Sequence, residues 1–448
     1  MPHDAANPEA SFLYAVPMRD ALHVQPIRRP ARLRSRPGNL PMPLGVLFVH
    51  TATQPPLGAD TWVQAQIISS LDKSQNDVHV ACAFGTPDAP TPTYEIIRAT
   101  PHITIVPVDF GRERHSVHSR NPLRTVAAVM PSMMSFVRLV AHARRHHISV
   151  IHTTDRPRDA MASVVLARLT GARCVIHAHV GFDPAWMNRM LQWSMKRADG
   201  MIAISEFVAS TLTEISRDPS NVHVVLNAID ISNWVPGRGR DERRAEFGFA
   251  PTDTVITTVC RLFPGKGLTE LVRSFARVHA EQPDTRLLVV GGEMVHGYLG
   301  ELQTLASELG VADRIVFAGR RDDVPALMAA SDIYAMPSMF EPFGLVYLEA
   351  MAMQLPVVAL NNGGTPEVVD DGRAGLLSEP GDVGQLADNL MALVVDPARR
   401  ARFGRYGREQ VESRFTLDRM ARDTAAVYRM LVFHEHAAAL GREARVDT

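Results

Sequence analysis

Thr254-Val255-Ile256-Thr257-Thr258-Val259, running into Cys260-Arg261-Leu262-Phe263-Pro264-Gly265-Lys266-Gly267, is a β-branched apolar run that ends in a loop of glycines, a proline and two cations. Such a run bounded by turn residues is a strand, and a helix follows over about residues 267–280. The alternation continues with strands over 286–290, 314–317, 333–336 and 357–359, each separated by a helical segment. Working back, the same grammar covers the first half. Strands fall at 44–49, 78–83, 103–107, 150–152, 174–176, 200–204 and 222–226, with helices over 60–71, 122–147, 159–169 and from Glu206 onward. Short strands alternating with longer helices make βαβ units, hence parallel sheets with helices on both faces. The charged stretch Pro236-Gly237-Arg238-Gly239-Arg240-Asp241-Glu242-Arg243-Arg244 interrupts the pattern. It places a boundary between an N-terminal domain over 41–235 and a C-terminal domain over 236–415.

The bulk numbers agree with two Rossmann-like α/β domains. A chain of 448 residues exceeds one ordinary core. A net charge of −1 lacks the excess of cations that a general nucleic-acid binder needs. Cys82, Cys174 and Cys260 lie far apart in strand-like runs, as buried reduced thiols of a cytoplasmic protein do. No apolar stretch reaches the roughly 20 residues of a membrane span, and the N-terminus lacks the order of a secretory signal. Residues 1–40 differ from the rest: five prolines and Arg28, Arg29, Arg32, Arg34 and Arg36 fall between Gln25 and Pro43. That composition makes an extended arm, either a solvated tail or a basic attachment to an anionic membrane or to the other domain. Segment 126–147, apolar with Arg138, Arg144 and Arg145, likewise has two readings: a helix covering the sheet, or an amphipathic helix in peripheral contact with the inner face of a membrane.

Ligands of open α/β sheets sit where strands end and helices begin. Two such loops carry chemistry. Ser338-Met339-Phe340-Glu341-Pro342-Phe343-Gly344-Leu345 opens a helix that contains Glu349, eight residues after Glu341. The N–H groups of Phe343, Gly344 and Leu345 would cradle an anion without side-chain charge. Glu349 would accept ribose hydroxyls and Glu341 would face a sugar. Taken alone, two such glutamates also describe a capped helix with solvated carboxylates. Arg261 and Lys266, five apart at another strand end, combine a planar guanidinium and a point charge suited to a diphosphate. Asp322-Asp323, an adjacent acidic pair, reads as a helix cap.

These stretches, with Asn227-Ala228-Ile229-Asp230, Gly291-Gly292, Phe317-Ala318-Gly319-Arg320 and Asn362-Gly363-Gly364-Thr365-Pro366-Glu367, resemble glycosyltransferase family 4, whose members have the GT-B fold. The resemblance implies two Rossmann-like domains with parallel sheets facing across a central cleft, and a final helix within 416–448 that crosses back to the first domain. It also implies a retaining, metal-independent transferase with no cofactor, moving a sugar from a nucleoside diphosphate donor, UDP- or GDP-linked, to a glycan, lipid-linked or small-molecule acceptor. Arg261 and Lys266 would hold the diphosphate, Glu349 the ribose, Glu341 the sugar, and Arg320 the base through its main chain. Gly344 and Leu345 would offer amides to the phosphates. In the first domain Gly58 corresponds to a glycine near the donor phosphates, although the family has two there and this chain has Leu57-Gly58. His179, in His177-Ala178-His179-Val180-Gly181-Phe182, corresponds to a histidine near the transferred sugar, leaving His177 as a satisfied core residue. Ser205 matches a serine at a helix start and acts as an N-cap. Ala228 departs from the family's glycine.

Breaking a sugar–phosphate bond loads charge on the leaving diphosphate, so the useful catalyst is positive potential already in place. No Asp-x-Asp pair stands at a strand end to supply it with a metal; Arg261, Lys266 and a helix N-terminus supply it directly. Two other readings share the fold: a non-catalytic nucleotide-sugar-binding subunit, and a GT-B epimerase or phosphorylase. The second is disfavoured because no lysine has the context of a pyridoxal site and because 261–266 and 341–349 occur together.

Overall fold

A seven-residue apolar run such as Leu44–His50 has no polar face to show water, so it is stable only inside a sheet covered on both sides. The computed structural model describes residues 43–51, 58–86, 89–110, 122–185 and 187–443; the Pro/Arg-rich arm and Leu57 lie outside them. In it β1 (Leu44–His50) is buried at every position. After β2 (Asn76–Ala83) comes a short antiparallel ribbon, β3 (Gly85–Thr86) with β4 (Ala89–Pro90). Then follow β5 (Thr104–Val108), β6 (Ile148–Thr154), β7 (Arg173–Ala178), β8 (Gly200–Ala203) and β9 (Val222–Val224). The resulting sheet has the order β5-β2-β1-β6-β7-β8-β9 and is parallel throughout.

A second parallel sheet is built from β10 (Thr254–Val259), β11 (Thr285–Val290), β12 (Ile315–Gly319), β13 (Ile333–Met336), β14 (Val357–Leu360) and β15 (Gly375–Ser378). Its order is β12-β11-β10-β13-β14-β15. The helix Leu268–Glu281 buries Leu268, Leu271, Val272, Phe275 and Val278 in the core around β10 and β11, and presents its other face to water. Both sheets are therefore α/β and doubly wound.

The chain divides into two compact units at Asn227/Ala228, ahead of the charged stretch, and again after Thr416. Residues 236–244 belong with the second sheet because its carbonyls and acids hold their arginines. Arg244, 5% exposed, donates to the carbonyls of Ala330, Ala250 and Asp253, and Arg240 to those of Ala329 and Ser331 and to Asp332. The helix Leu417–Glu443 belongs with the first sheet: the Tyr428 hydroxyl is buried 2.6 Å from His152 Nδ1, and Arg419 donates to the Leu226 carbonyl.

Candidate active site

The order of the second sheet reverses between β10 and β13, where helices on opposite faces leave room for a ligand at the strand ends. The loops leaving these two strands are the ones that carry Arg261, Lys266 and Glu341. They are bonded to each other by main chain: Met339 N–H donates to the Gly265 carbonyl at 2.9 Å. Gly267, at φ +68°, passes so near that a β-carbon on it would lie 1.9 Å from the Pro337 oxygen. The loop after β14 joins them, with Gly364 N–H on the Glu341 carbonyl at 2.9 Å. The Asn362 amide donates to the carbonyls of Ser338 and Met339 at 3.1 and 3.0 Å. Three strand-end loops are thus one rigid group.

On that frame Lys266 Nζ sits 2.8 Å from Glu341 Oε2, with side chains 18% and 11% exposed, and 3.4 Å from Ser338 Oγ. The separate tasks expected of these two residues begin from a shared ion pair. Arg261 is exposed, with no hydrogen bond or ion pair among the described residues. Phe343 is buried against Phe415. Gly344 adopts φ +91°, and a β-carbon there would strike the Tyr347 ring at 2.2 Å; that ring is fixed by its hydroxyl on the Met336 carbonyl. Gly344 stands at the cap of Leu345–Ala352 and no side chain among the described residues caps it; Tyr347 N–H turns back to the Gly344 carbonyl, and the amides of Leu345 and Val346 keep their donors for a ligand. Glu349, half-buried on the same helix, has its carboxyl pushed up to about 8 by desolvation. Arg320 is exposed just past β12, beside Gly292. Asp323 does not cap the helix it precedes; its carboxylate is held by Arg321 at 2.8 Å and Arg243 at 3.1 Å. Those guanidinium groups outcompete the amides, because they are charged donors.

The first sheet has its own reversal between β1 and β6, and there the groups that meet are ionisable side chains. Asp60 accepts from Arg156 at 2.8 Å. Asp159 receives the Thr51 N–H at 2.8 Å. Asp155 receives the His179 N–H at 2.8 Å, and burial raises its carboxyl above the usual range. His50 donates to or accepts from Thr61 at 2.9 Å, its imidazole lowered to about 4 by burial. Both His179 ring nitrogens are buried without a hydrogen-bond partner among the described residues, and burial lowers this ring too. His177 is in the core, fully buried, but it is not satisfied: neither ring nitrogen has a partner among the described residues. Gly58 has an extended backbone at φ −75°, and a β-carbon on it would meet only the Asp60 carboxylate. Ser205 caps its helix through Val208 N–H at 3.0 Å. Asp60, Asp155 and Arg156 are the residues that sequence reasoning passed over, although Asp155 and Arg156 directly follow the strand β6.

Two family models match the chain. One described as Glycosyltransferase Family 4 covers residues 62–233, and one described as Glycosyl transferases group 1 covers residues 239–410. A GDP-mannose-dependent monoacylated alpha-(1-6)-phosphatidylinositol monomannoside mannosyltransferase of Corynebacterium glutamicum is 32% identical over 270 residues, 57% of this chain and 69% of that protein. An N-acetyl-alpha-D-glucosaminyl L-malate synthase of Bacillus anthracis is 27% identical over 294 residues, 64% of this chain and 76% of that protein. Among solved structures, Anabaena HepE in complex with UDP matches with a TM-score of 0.70 at 23% identity, covering 86% of this chain and 99% of its own. That likeness shows the fold, GT-B. The two sheets, the cationic strand-end loops and the matched relatives lead to one assignment: the chain is a glycosyltransferase and belongs to glycosyltransferase family 4.

Proposed function

We propose that this protein is a retaining, metal-independent hexosyltransferase that uses a UDP- or GDP-sugar and a glycan, lipid-linked or small-molecule acceptor. The observation that carries this reading is the locked group of loops that brings exposed Arg261, Lys266 and the uncapped amides after Gly344 to one end of the second sheet. Three sources of positive potential at the neighbouring ends of β10 and β13 suit a diphosphate whose charge grows as its bond to the sugar breaks. Relatives named for GDP-mannose and neighbours solved with UDP support a nucleoside diphosphate donor and leave the choice of base between them.

Arg261 meets the diphosphate first, since it has no competing partner among the described residues. Lys266 shares its ammonium between Glu341 and a phosphate oxygen, so Glu341 is oriented by the same cation that holds the leaving group. Glu349 accepts from the ribose hydroxyls once ionised, and Arg320 offers its main chain to the base. The His179 ring, whose nitrogens have no hydrogen-bond partner among the described residues, takes a hydroxyl of the sugar. In the transfer step the bond from C1 to the phosphate oxygen breaks and the acceptor oxygen bonds C1 on the same face. The acceptor proton passes to the departing phosphate. Three dispersed free thiols support a reducing, cytoplasmic setting.

The test is transfer from UDP- and GDP-hexoses with excess chelator present, reading the anomeric configuration of the new bond by NMR. Product with the donor's configuration and an undiminished rate is expected. Inversion, or loss of activity restored by a divalent cation, would overturn the reading.

A further inference from the structure

The amino ends of β1, β2, β5 and β6 frame a cavity of about 550 Å³, inside the range of about 300–1,000 Å³ of ligand sites. It lies at the opposite end of the first sheet from the strand ends that carry Asp155 and His179. Its polar lining includes Lys73, Asn76, Asp77, His102, His146 and His147. Asn76 is 1% exposed and donates through its amide nitrogen to the Asp72 carbonyl at 2.9 Å. Its Oδ1 is buried with no hydrogen-bond partner among the described residues. A buried carbonyl left without a donor is costly, and a ligand hydroxyl would relieve it. His146 is held in place by stacking, its ring 4.3 Å from that of His142 and 4.9 Å from that of His79. His102 and His147 are two of the three non-glycine residues at left-handed φ among the described residues, at +56° and +49°. His147 follows helix Pro122–Arg145, where glycine would take the same backbone without strain.

The same groups select the ligand. No set of three or more His, Cys, Asp or Glu among the described residues is placed to hold a metal ion. An anion would meet the Asp77 carboxylate, whose side chain is 53% exposed. It would also meet the negative ends of helices Ala59–Ser70 and Pro122–Arg145, which both terminate here. Lys73 does not offset them, because its ammonium is taken up by the carbonyls of Ile68, Ser69 and Leu71. An uncharged polyol needs acceptors and donors side by side. Asn76 Oδ1 and Asp77 supply the first, and the imidazoles of His102, His146 and His147 supply the second. We infer that this cavity is a second carbohydrate site, which binds an uncharged hexose unit that takes no part in the transfer, either a free sugar or a remote unit of a glycan chain.

The test follows the histidine ring signals of the full chain by NMR, with saturating UDP present to occupy the donor site. Methyl α-D-mannopyranoside or methyl α-D-glucopyranoside should shift His102, His146 and His147 saturably, and inorganic phosphate should not. Asn76→Ala and His147→Gly should each weaken the sugar about fivefold, the loss of one hydrogen bond. His147→Gly relieves a left-handed backbone, so its urea midpoint should stay level or rise, which separates lost binding from lost folding. A hexasaccharide of the same sugar that binds about tenfold more tightly identifies a glycan chain, and equal affinity identifies a free sugar; either supports the site. None of these readouts needs turnover, so they stand or fall apart from the retaining mechanism. The inference is overturned if neither glycoside nor its hexasaccharide moves the three signals, or if both variants bind sugar as the wild type does. It is overturned too if phosphate shifts the same signals at lower concentration than the sugars, since the cavity would then be an anion site.

Discussion

The strand ends of the two sheets are built from different materials. At β10, β13 and β14 the loops are held by backbone: carbonyls of Gly265, Glu341, Ser338 and Met339 take the bonds, and Gly267 and Gly344 leave the room for them. At β1, β6 and β7 the joints are carboxylates that are half-buried or buried: Asp60 on the Arg156 guanidinium, Asp155 on the His179 N–H and Asp159 on the Thr51 N–H. A site made of main chain tolerates no β-carbon where loops touch. A site made of titrating side chains instead ties its stability to pH.

The sharpest way to break that contrast is with glycines. Gly267→Ala would drive a β-carbon into the Pro337 oxygen at a left-handed φ, and should cost about 3 kcal/mol of stability. Gly58→Ala meets a side chain and not backbone, the Asp60 carboxylate, from an extended conformation, and should cost less, about 1 kcal/mol. Urea unfolding midpoints measure both, and equal costs would contradict the distinction.

Next in size is an opposite response to acid. His50 and His152 are depressed by burial to about 4 and about 3, against an unfolded value near 6.5. Above 6.5 both states are neutral; as pH falls from 6.5 toward the folded values, only the unfolded state gains protons and stability is lost. Glu349 runs the other way. Its folded value is about 8 against 4.5 unfolded, so its contribution is full below 4.5 and disappears as pH rises through 8. Hydrogen exchange, corrected for intrinsic rates and compared between about pH 7.5 and pH 5, should show core amides of the first sheet losing protection. Those around Leu345–Ala352 should gain it, and Glu349→Gln should remove that gain. The smallest effect concerns the ligand. If ribose hydroxyls need ionised Glu349, nucleotide affinity should rise roughly tenfold from pH 7 to pH 9 and flatten in Glu349→Gln.

The same difference explains what was legible in the sequence. A backbone-built site needs its glycines and loops in a fixed order, so residues 261–267, 338–349 and 362–367 stand as compact motifs. Sheets of buried parallel strands announce themselves by runs such as Leu44–His50. Partners in the first unit are invisible by comparison, because Asp60 and Arg156 are 96 residues apart and Thr51 and Asp159 are 108 apart. Lys266 and Glu341, 75 apart, were each singled out, but nothing local says that they pair. Strand β15 and the ribbon β3–β4 carry no such strand signature: Gly375-Leu376-Leu377-Ser378 holds only two large apolar residues between a glycine and a serine, and each strand of the ribbon has two residues. Residues 236–244 read as an interruption because arginines bonded to carbonyls look, in sequence, like a solvated charge run.

The central claim is that Arg261, Lys266 and the amides after Gly344 together hold a pyrophosphate. Titration calorimetry of UDP and GDP, with uridine and guanosine as controls, on wild type and Arg261→Ala tests it most directly. The account predicts that at least one diphosphate binds the wild type and that Arg261→Ala weakens it by about tenfold or more, equivalent to about 1.4 kcal/mol. The matching nucleoside should be unaffected. A diphosphate that binds no better than its nucleoside, or that binds Arg261→Ala as well as the wild type, would contradict it.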